Sequence, residues 1–243
     1  MSRPRVIELL LIVGVINIPV KIGRRAWRRC FGLMARRTDI FGVNECFTKE
    51  QRRLYLRLAR KLDLGQYGTR IGPNPIFWDA KKYRLIDGRQ TRIHPAGTSA
   101  LARRWRGFNA ARYVTDVVLA SLDHPGLEIA AINTHWSAGG WKVPAMWLRG
   151  ARRQSKKVVN ALRAEHTAAG REVVLLGDFN IVRRIFLTAV RWLRVWGVDK
   201  VGIALTAAAR LVAHRVLLIK APTDHKHGVI VRIRLNITPR SAS

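Results

Sequence analysis

The stretch Val173-Val174-Leu175-Leu176-Gly177-Asp178-Phe179-Asn180 constrains the fold more than any other part of the chain. A wholly apolar run that ends at a glycine turn reads as a buried strand delivering its last residues to the end of a sheet. Alternate side chains of a strand point the same way, so Asp178 and Asn180 address one place. A carboxylate beside a carboxamide suits a metal-bound water and a phosphate oxygen. Gly-Asp-x-Asn is also ordinary turn chemistry, and this stretch alone leaves both readings open.

The same pattern recurs along the chain. Asn17 lies in Val15-Ile16-Asn17-Ile18, and a buried asparagine must have its amide satisfied by neighbours or by a ligand. Glu45 ends Ile40-Phe41-Gly42-Val43-Asn44-Glu45, where a residue opening a helix near its dipole is the alternative. Asn133-Thr134-His135 closes Ile129-Ala130-Ala131-Ile132, and Thr223-Asp224-His225 stands between two strand-like segments, with Asp199 upstream in Val198-Asp199-Lys200. Any one of these is ordinary. Together they place carboxylates, amides and imidazoles at the ends of separate strands, where rigid scaffolds hold functional groups. Carboxylates and amides are hard oxygen ligands, and histidines transfer protons or stabilise oxyanions.

The remaining pattern gives the organisation. Strands are expected at Val6 to Ile18, Asp39 to Val43 and Tyr67 to Ile71, and a hairpin from Ile76 to Trp78 and Tyr83 to Ile93. A second hairpin joins Arg112 to Ser121 and Leu127 to Asn133 through Asp123-His124-Pro125-Gly126. Further strands are expected at Glu172 to Leu176, near Val198 to Ile203, at Val212 to Ile219 and at Gly228 to Ile237. Helices are expected from Arg24 to Arg37, from Thr48 (three residues before Gln51, a capping box) to Leu62, and from Pro144 to Ala169 with Gly170 as its cap. The basic stretch Ser99 to Asn109 reads as a loop. This predicts one α/β domain over residues 1–238, with two sheets packed face to face, and a disordered tail at residues 239–243.

With 243 residues, 48% of them hydrophobic, the chain can build a substantial core. Its net charge of +30 must raise the potential over much of the surface and attract polyanions. Cys30 and Cys46 are the only cysteines and show no zinc spacing, which argues against a disulfide framework and fits a reducing compartment. Glu8 interrupts the apolar run Val6 to Val20, so that run reads as a buried strand rather than a signal peptide. No uncharged stretch is long enough to span a bilayer, and the expectation is a cytoplasmic monomer.

In this order the motifs resemble the endonuclease/exonuclease/phosphatase superfamily, whose members include deoxyribonuclease I-like nucleases. The match runs from Asn17 through Glu45, Asn133-Thr134-His135 and Gly177-Asp178-Phe179-Asn180 to Asp199 and Asp224-His225, and Arg152 and Gln154 also fit it. The resemblance implies a four-layer α/β sandwich and hydrolysis of phosphoesters dependent on Mg²⁺ or Mn²⁺. It implies that Glu45 ligates the metal, with Asn17 and Asp224 assisting. Asp178 would orient or deprotonate the attacking water, and Asn180 would hold a phosphate oxygen. His225, oriented by Asp199, would stabilise the transition state, and His135 would protonate the leaving oxygen. The short basic-apolar segment from Ile181 to Trp196 departs from the pattern, because many relatives place further substrate-contacting residues there.

The charge favours nucleic acid, DNA before RNA, as the substrate. Arg104 and Arg112, with Trp105 and Trp136, interleave cations and aromatics in a way that suits phosphates and bases; the tryptophans are equally readable as core anchors. Together with Asn133 they are the expected substrate contacts. The alternatives are hydrolysis of a smaller phosphorylated or lipid substrate, and a non-catalytic basic nucleic-acid-binding domain.

Overall fold

The computed structural model describes residues 7–70, 72–94, 111–136, 145–180, 194–198, 201–205, 210–220 and 227–237. Within these, two sheets of six strands face each other. The first sheet runs β11 (Arg210–Lys220), β12 (His227–Ile237), β1 (Ile7–Asn17), β2 (Ile40–Asn44), β4 (Ile76–Asp79), β3 (Leu64–Tyr67). The second runs β5 (Tyr83–His94), β6 (Arg112–Ser121), β7 (Glu128–His135), β8 (Glu172–Asp178), β10 (Val201–Leu205), β9 (Arg194–Val198).

Each sheet holds one parallel pair, β1 with β2 and β7 with β8; the other described pairings are antiparallel. A parallel pair needs a crossover. Here α1 (Gly23–Ala35) joins β1 to β2, and α3 (Ala145–Ala168) joins β7 to β8. The helix α2 (Lys49–Lys61) follows β2.

Strand alternation sorts the side chains into three apolar layers. Between the sheets, Leu11, Val13 and Val15 of β1 pack with Leu119, Ile129, Val174 and Val231. Outside the first sheet, Trp27, Cys30, Phe31 and Met34 form the inward stripe of α1, spaced as an amphipathic helix requires, against Phe41, Phe77 and Tyr55. Outside the second, Val159 and Leu162 of α3 cover Val114, Ile132 and Leu175. The result is the expected four-layer α/β sandwich.

Local signals act as the sequence indicates. Thr48 Oγ1 accepts from the Gln51 amide at 3.1 Å, and Gln51 Oε1 accepts from the Thr48 amide at 3.3 Å, closing the capping box of α2. Gly170, at φ 67°, ends α3, and the Arg171 amide donates back to His166 O at 3.0 Å.

Three expectations change. β4 and β5 are not a hairpin: β4 pairs within the first sheet and β5 within the second. Trp78 and Tyr83, on either side of the connection, both bury in the core between the sheets, so the chain crosses there instead of turning back. The strand expected at Tyr67 to Ile71 lies earlier, at β3, and gives way at Gly68, whose φ is 83°. The single strand expected near Val198 to Ile203 is two antiparallel strands, β9 and β10. The basic loop Ser99 to Asn109 and the tail from Pro239 lie outside the described residues.

Candidate active site

Four inward-facing columns of the central core become polar at the same end. In β1 the series Leu9, Leu11, Val13, Val15 is followed by Asn17, and in β2 Ile40 is followed by Gly42 and Asn44. In β7 Ile129 and Ala131 lead to Asn133 and His135; in β8 Val174 and Leu176 lead to Asp178. Asn17 lies opposite Asn44 and His135 opposite Asp178 in the two parallel pairs. The polar groups therefore gather at the carboxyl ends of parallel strands, where open α/β sheets place their ligands.

Asn17 links the two sheets. Its Nδ2 donates to Glu45 Oε1 at 3.1 Å and to Asp178 Oδ2 at 3.0 Å. Strict alternation would send Glu45 outward with Phe41 and Val43. It reaches the site because its backbone is left-handed, with φ 65°, a conformation uncommon for a residue with a Cβ. Asn180, at φ 49°, is a second such residue, and its amide N donates to Asp178 Oδ1 at 3.0 Å. Two strained residues at one site mark a geometry that the surrounding structure enforces. His135 Nε2 stands 3.6 Å from Asp178 Oδ2, beyond a good hydrogen bond.

Arg112 is only 3% exposed. Burial pulls its guanidinium down to about 10, and the charges of Asp178 and Glu45 work against that fall. Arg152, on α3, donates to the Asn180 carbonyl and holds the strained residue from behind; burial lowers its pKa too. Gln154 points to solvent. Asn133 is wholly buried, and its Nδ2 donates to Val43 O at 3.2 Å and Pro75 O at 3.0 Å, bridging the sheets. Gly42 makes room for it: a Cβ there would sit 2.7 Å from Asn133 Cγ. Trp136 is 2% exposed and packs edge-on against Phe179, with ring centroids 5.4 Å apart. The expectation that it contacts substrate gives way to the core-anchor reading, since no face of the ring is open for stacking.

The donor set fits a hard cation. Ligand atoms of Glu45, His135 and Asp178 lie within 4.8 Å of one another. Asn17 Oδ1 is buried with no hydrogen-bond partner, as an amide oxygen intended for a cation would be. Asn44, fully buried beside Asn17, has neither amide atom paired, and sequence reading missed it. Alternation along β2 was the signal that would have found it. Asp199, Asp224, His225 and Arg104 lie outside the described residues.

A second buried aspartate–histidine pair sits under α3. Asp116 accepts from Arg89 Nε at 3.0 Å and meets His166 Nε2 at 2.9 Å. The Arg171 guanidinium, which can only donate, approaches His166 Nδ1 at 3.2 Å. Arg89 also binds Glu165 at 2.6 Å and Arg171 binds Glu128 at 2.7 Å. Its spacing in the sequence carries no signal that these residues meet.

Fold and site together define a two-sheet sandwich with acids, amides and a histidine gathered between its strand ends. Solved structures of that class superpose on the chain, and it resembles the endonuclease/exonuclease/phosphatase superfamily. An endonuclease/exonuclease/phosphatase family protein from Bacteroides thetaiotaomicron matches with a TM-score of 0.68 at 16% identity, covering 95% of this chain and 99% of that one. A mannosyl-6-phosphatase from the same organism matches at 0.63 and 16% identity, covering 92% and 99%. The human Nocturnin catalytic domain matches at 0.65 and 16% identity, covering 96% and 97%. No protein-family model matches the chain, and no curated protein matches its sequence. Among the described residues, no helix is long and apolar enough to cross a membrane.

Proposed function

We propose that this chain is a divalent-metal-dependent phosphodiesterase that hydrolyses nucleic acid, DNA before RNA. One observation carries the reading: Glu45 from the first sheet and Asp178 and His135 from the second converge within 4.8 Å, with Asn17 Nδ2 donating to both carboxylates. The similar structures include a phosphatase by name, and the net charge of +30 supplies attraction for a polyanion.

Glu45 and Asn17 would hold Mg²⁺ or Mn²⁺, with Asp224 assisting; bound there, the ion would neutralise charge on the phosphoryl oxygens. Asp178 is positioned by two donors, Asn17 Nδ2 and the Asn180 amide, which leaves its carboxylate oriented to accept a proton from the attacking water. Asn180 Nδ2 gives one hydrogen to Trp136 O at 2.8 Å and keeps the other for a phosphate oxygen. Arg112 brings a buried positive charge to the same place, next to Asp178 and Glu45. His135 donates a proton to the leaving oxygen. His225, with Asp199 to orient it, would serve as the second imidazole.

Purified protein with Mg²⁺, Mn²⁺ or EDTA, assayed on supercoiled plasmid, end-labelled single strands, RNA and a phospholipid, tests this directly. Metal-dependent nicking or shortening of DNA is expected. Turnover confined to the phospholipid, or to none of the substrates, would overturn it.

A further inference from the structure

The outer face of the first sheet is covered by two helices whose solvent side is almost entirely cationic. In α1 the exposed residues other than Gly23 are Arg24, Arg25, Arg28 and Arg29, and Arg36 and Arg37 follow directly. In α2 they are Lys49, Glu50, Arg53, Arg57, Arg60 and Lys61. Glu50 is the sole acid on either helix, 4.0 Å from Arg24.

Helix stability does not explain this composition. Arg24 and Arg28, Arg25 and Arg29, and Arg53 and Arg57 are like charges at the i,i+4 spacing, which destabilises a helix. Arg24 and Arg25 also occupy the first turn of α1, where the macrodipole disfavours cations. The bias is not uniform over the molecule either: the exposed residues of α3 mix Arg149, Arg153 and Lys157 with Gly150, Gln154, Ala161, Ala164, Glu165, Thr167 and Ala168.

The face is continuous with the site. α1 begins six residues after Asn17 and α2 four residues after Glu45, so both helices start at its rim and run back along the flank. A helix of 13 residues is about 20 Å long, the axial length over which one strand of duplex presents about six phosphates. Within their spans neither helix exposes a large apolar side chain, because both turn their apolar stripes onto the sheet; Val20, Phe47 and Leu62 are exposed singly just beyond their ends. A helix lying in a membrane needs that stripe outward.

We propose that the α1/α2 flank is a second contact surface, which binds the phosphate backbone of a nucleic acid running away from the active site. It rests on the nucleic-acid reading of the substrate but takes no part in the chemistry. The surface grips length: short substrates ignore it and long ones gain affinity from it.

The test compares wild type with the joint variant Arg28→Gln, Arg29→Gln, Arg53→Gln, Arg57→Gln and with its charge-keeping counterpart carrying Lys at the same four positions. Binding of a labelled duplex of about 30 base pairs is measured in EDTA across a salt series. Turnover of bis(p-nitrophenyl) phosphate with Mn²⁺ reports the chemistry separately. The Gln variant is expected to bind the duplex at least about tenfold more weakly at low salt, with a slope of log K on log salt shallower by about three. The Lys variant should bind like wild type, and turnover of the small diester should be the same in all three. Duplex binding and slope unchanged in the Gln variant would overturn the proposal. So would a loss that Lys fails to restore, or tighter binding to phosphatidylserine vesicles than to duplex, with only the vesicle binding lost in the Gln variant. If wild type fails to turn over the small diester while the binding results hold, the phosphodiesterase reading fails and this surface stands.

Discussion

Asp178 and Asp116 are both buried aspartates of the second sheet, each beside a histidine, and they differ in how completely their surroundings are paired. Around Asp116 the partners form a closed chain: Arg89 binds Asp116 and Glu165, His166 binds Asp116, and Arg171 binds His166 and Glu128. Around Asp178 the histidine stands off at 3.6 Å, two neighbouring asparagines carry unpaired amide atoms, and Glu45 and Asn180 hold left-handed backbone. A closed polar network rigidifies a fold. An open and strained one stores a capacity to bind something else.

The difference is sharpest under mutation. Asp178→Asn should lower hydrolysis by ~10²–10⁴, the usual contribution of a positioned proton acceptor, with the protein still folded. Near-wild-type turnover would remove Asp178 from the mechanism. Asp116→Ala should do the reverse. Losing the partner of a buried network costs roughly 3 kcal/mol of stability in denaturant unfolding, while turnover per folded molecule stays the same. A catalytic loss larger than the loss of folded protein would show that the closed network is not merely structural.

Metal binding gives the next test. Mn²⁺ at a hundredfold excess over its dissociation constant should stabilise wild type by about 2.7 kcal/mol, and Glu45→Gln should abolish that gain. Without metal the same variant should remain folded, its amide oxygen still able to accept from Asn17 Nδ2. An equal Mn²⁺ shift in both proteins would separate Glu45 from the ion.

The last test concerns the layer behind the site. Burial pushes the Cys46 thiol up to about 12 and the Cys30 thiol to about 11, with Arg52 and Arg29 pulling the other way. Unfolded thiols titrate near 9.0, so above that pH the unfolded chain sheds protons that the native one keeps. Stability should therefore fall as pH rises from 9 toward 11 and 12, and Cys46→Ala should lessen the fall in thermal melts. The same fall in wild type and in Cys46→Ala would mean that the site end opens readily enough for Cys46 to titrate as in the unfolded chain.

Much of this was legible in the sequence because burial and alternation are local. Apolar runs located β1, β2, β7 and β8, and the polar residues that end them turned out to share one place. Capping residues located α2 and the end of α3. What local pattern could not supply was partnership across the chain. The crossing between β4 and β5 depends on Trp78 and Tyr83 sharing a core formed by both sheets. The meeting of Asp116 with His166 depends on how α3 packs. Glu45 was singled out for its chemistry, but strict alternation points it the wrong way; its φ of 65° is a tertiary fact. Trp136 misled because an aromatic beside a strand-end histidine reads the same whether it faces solvent or the core.

Gly42 gives the cleft its calibre. Glu45 and Asp178 belong to different sheets, and the distance between them is set by how closely those sheets approach at Asn133, which lies against the bare Cα of residue 42. An added methyl group there would act as a shim, wedging the sheets apart and widening the gap between the two carboxylates without touching either. The spacing of the two carboxylates is thus governed by a side chain that is not there.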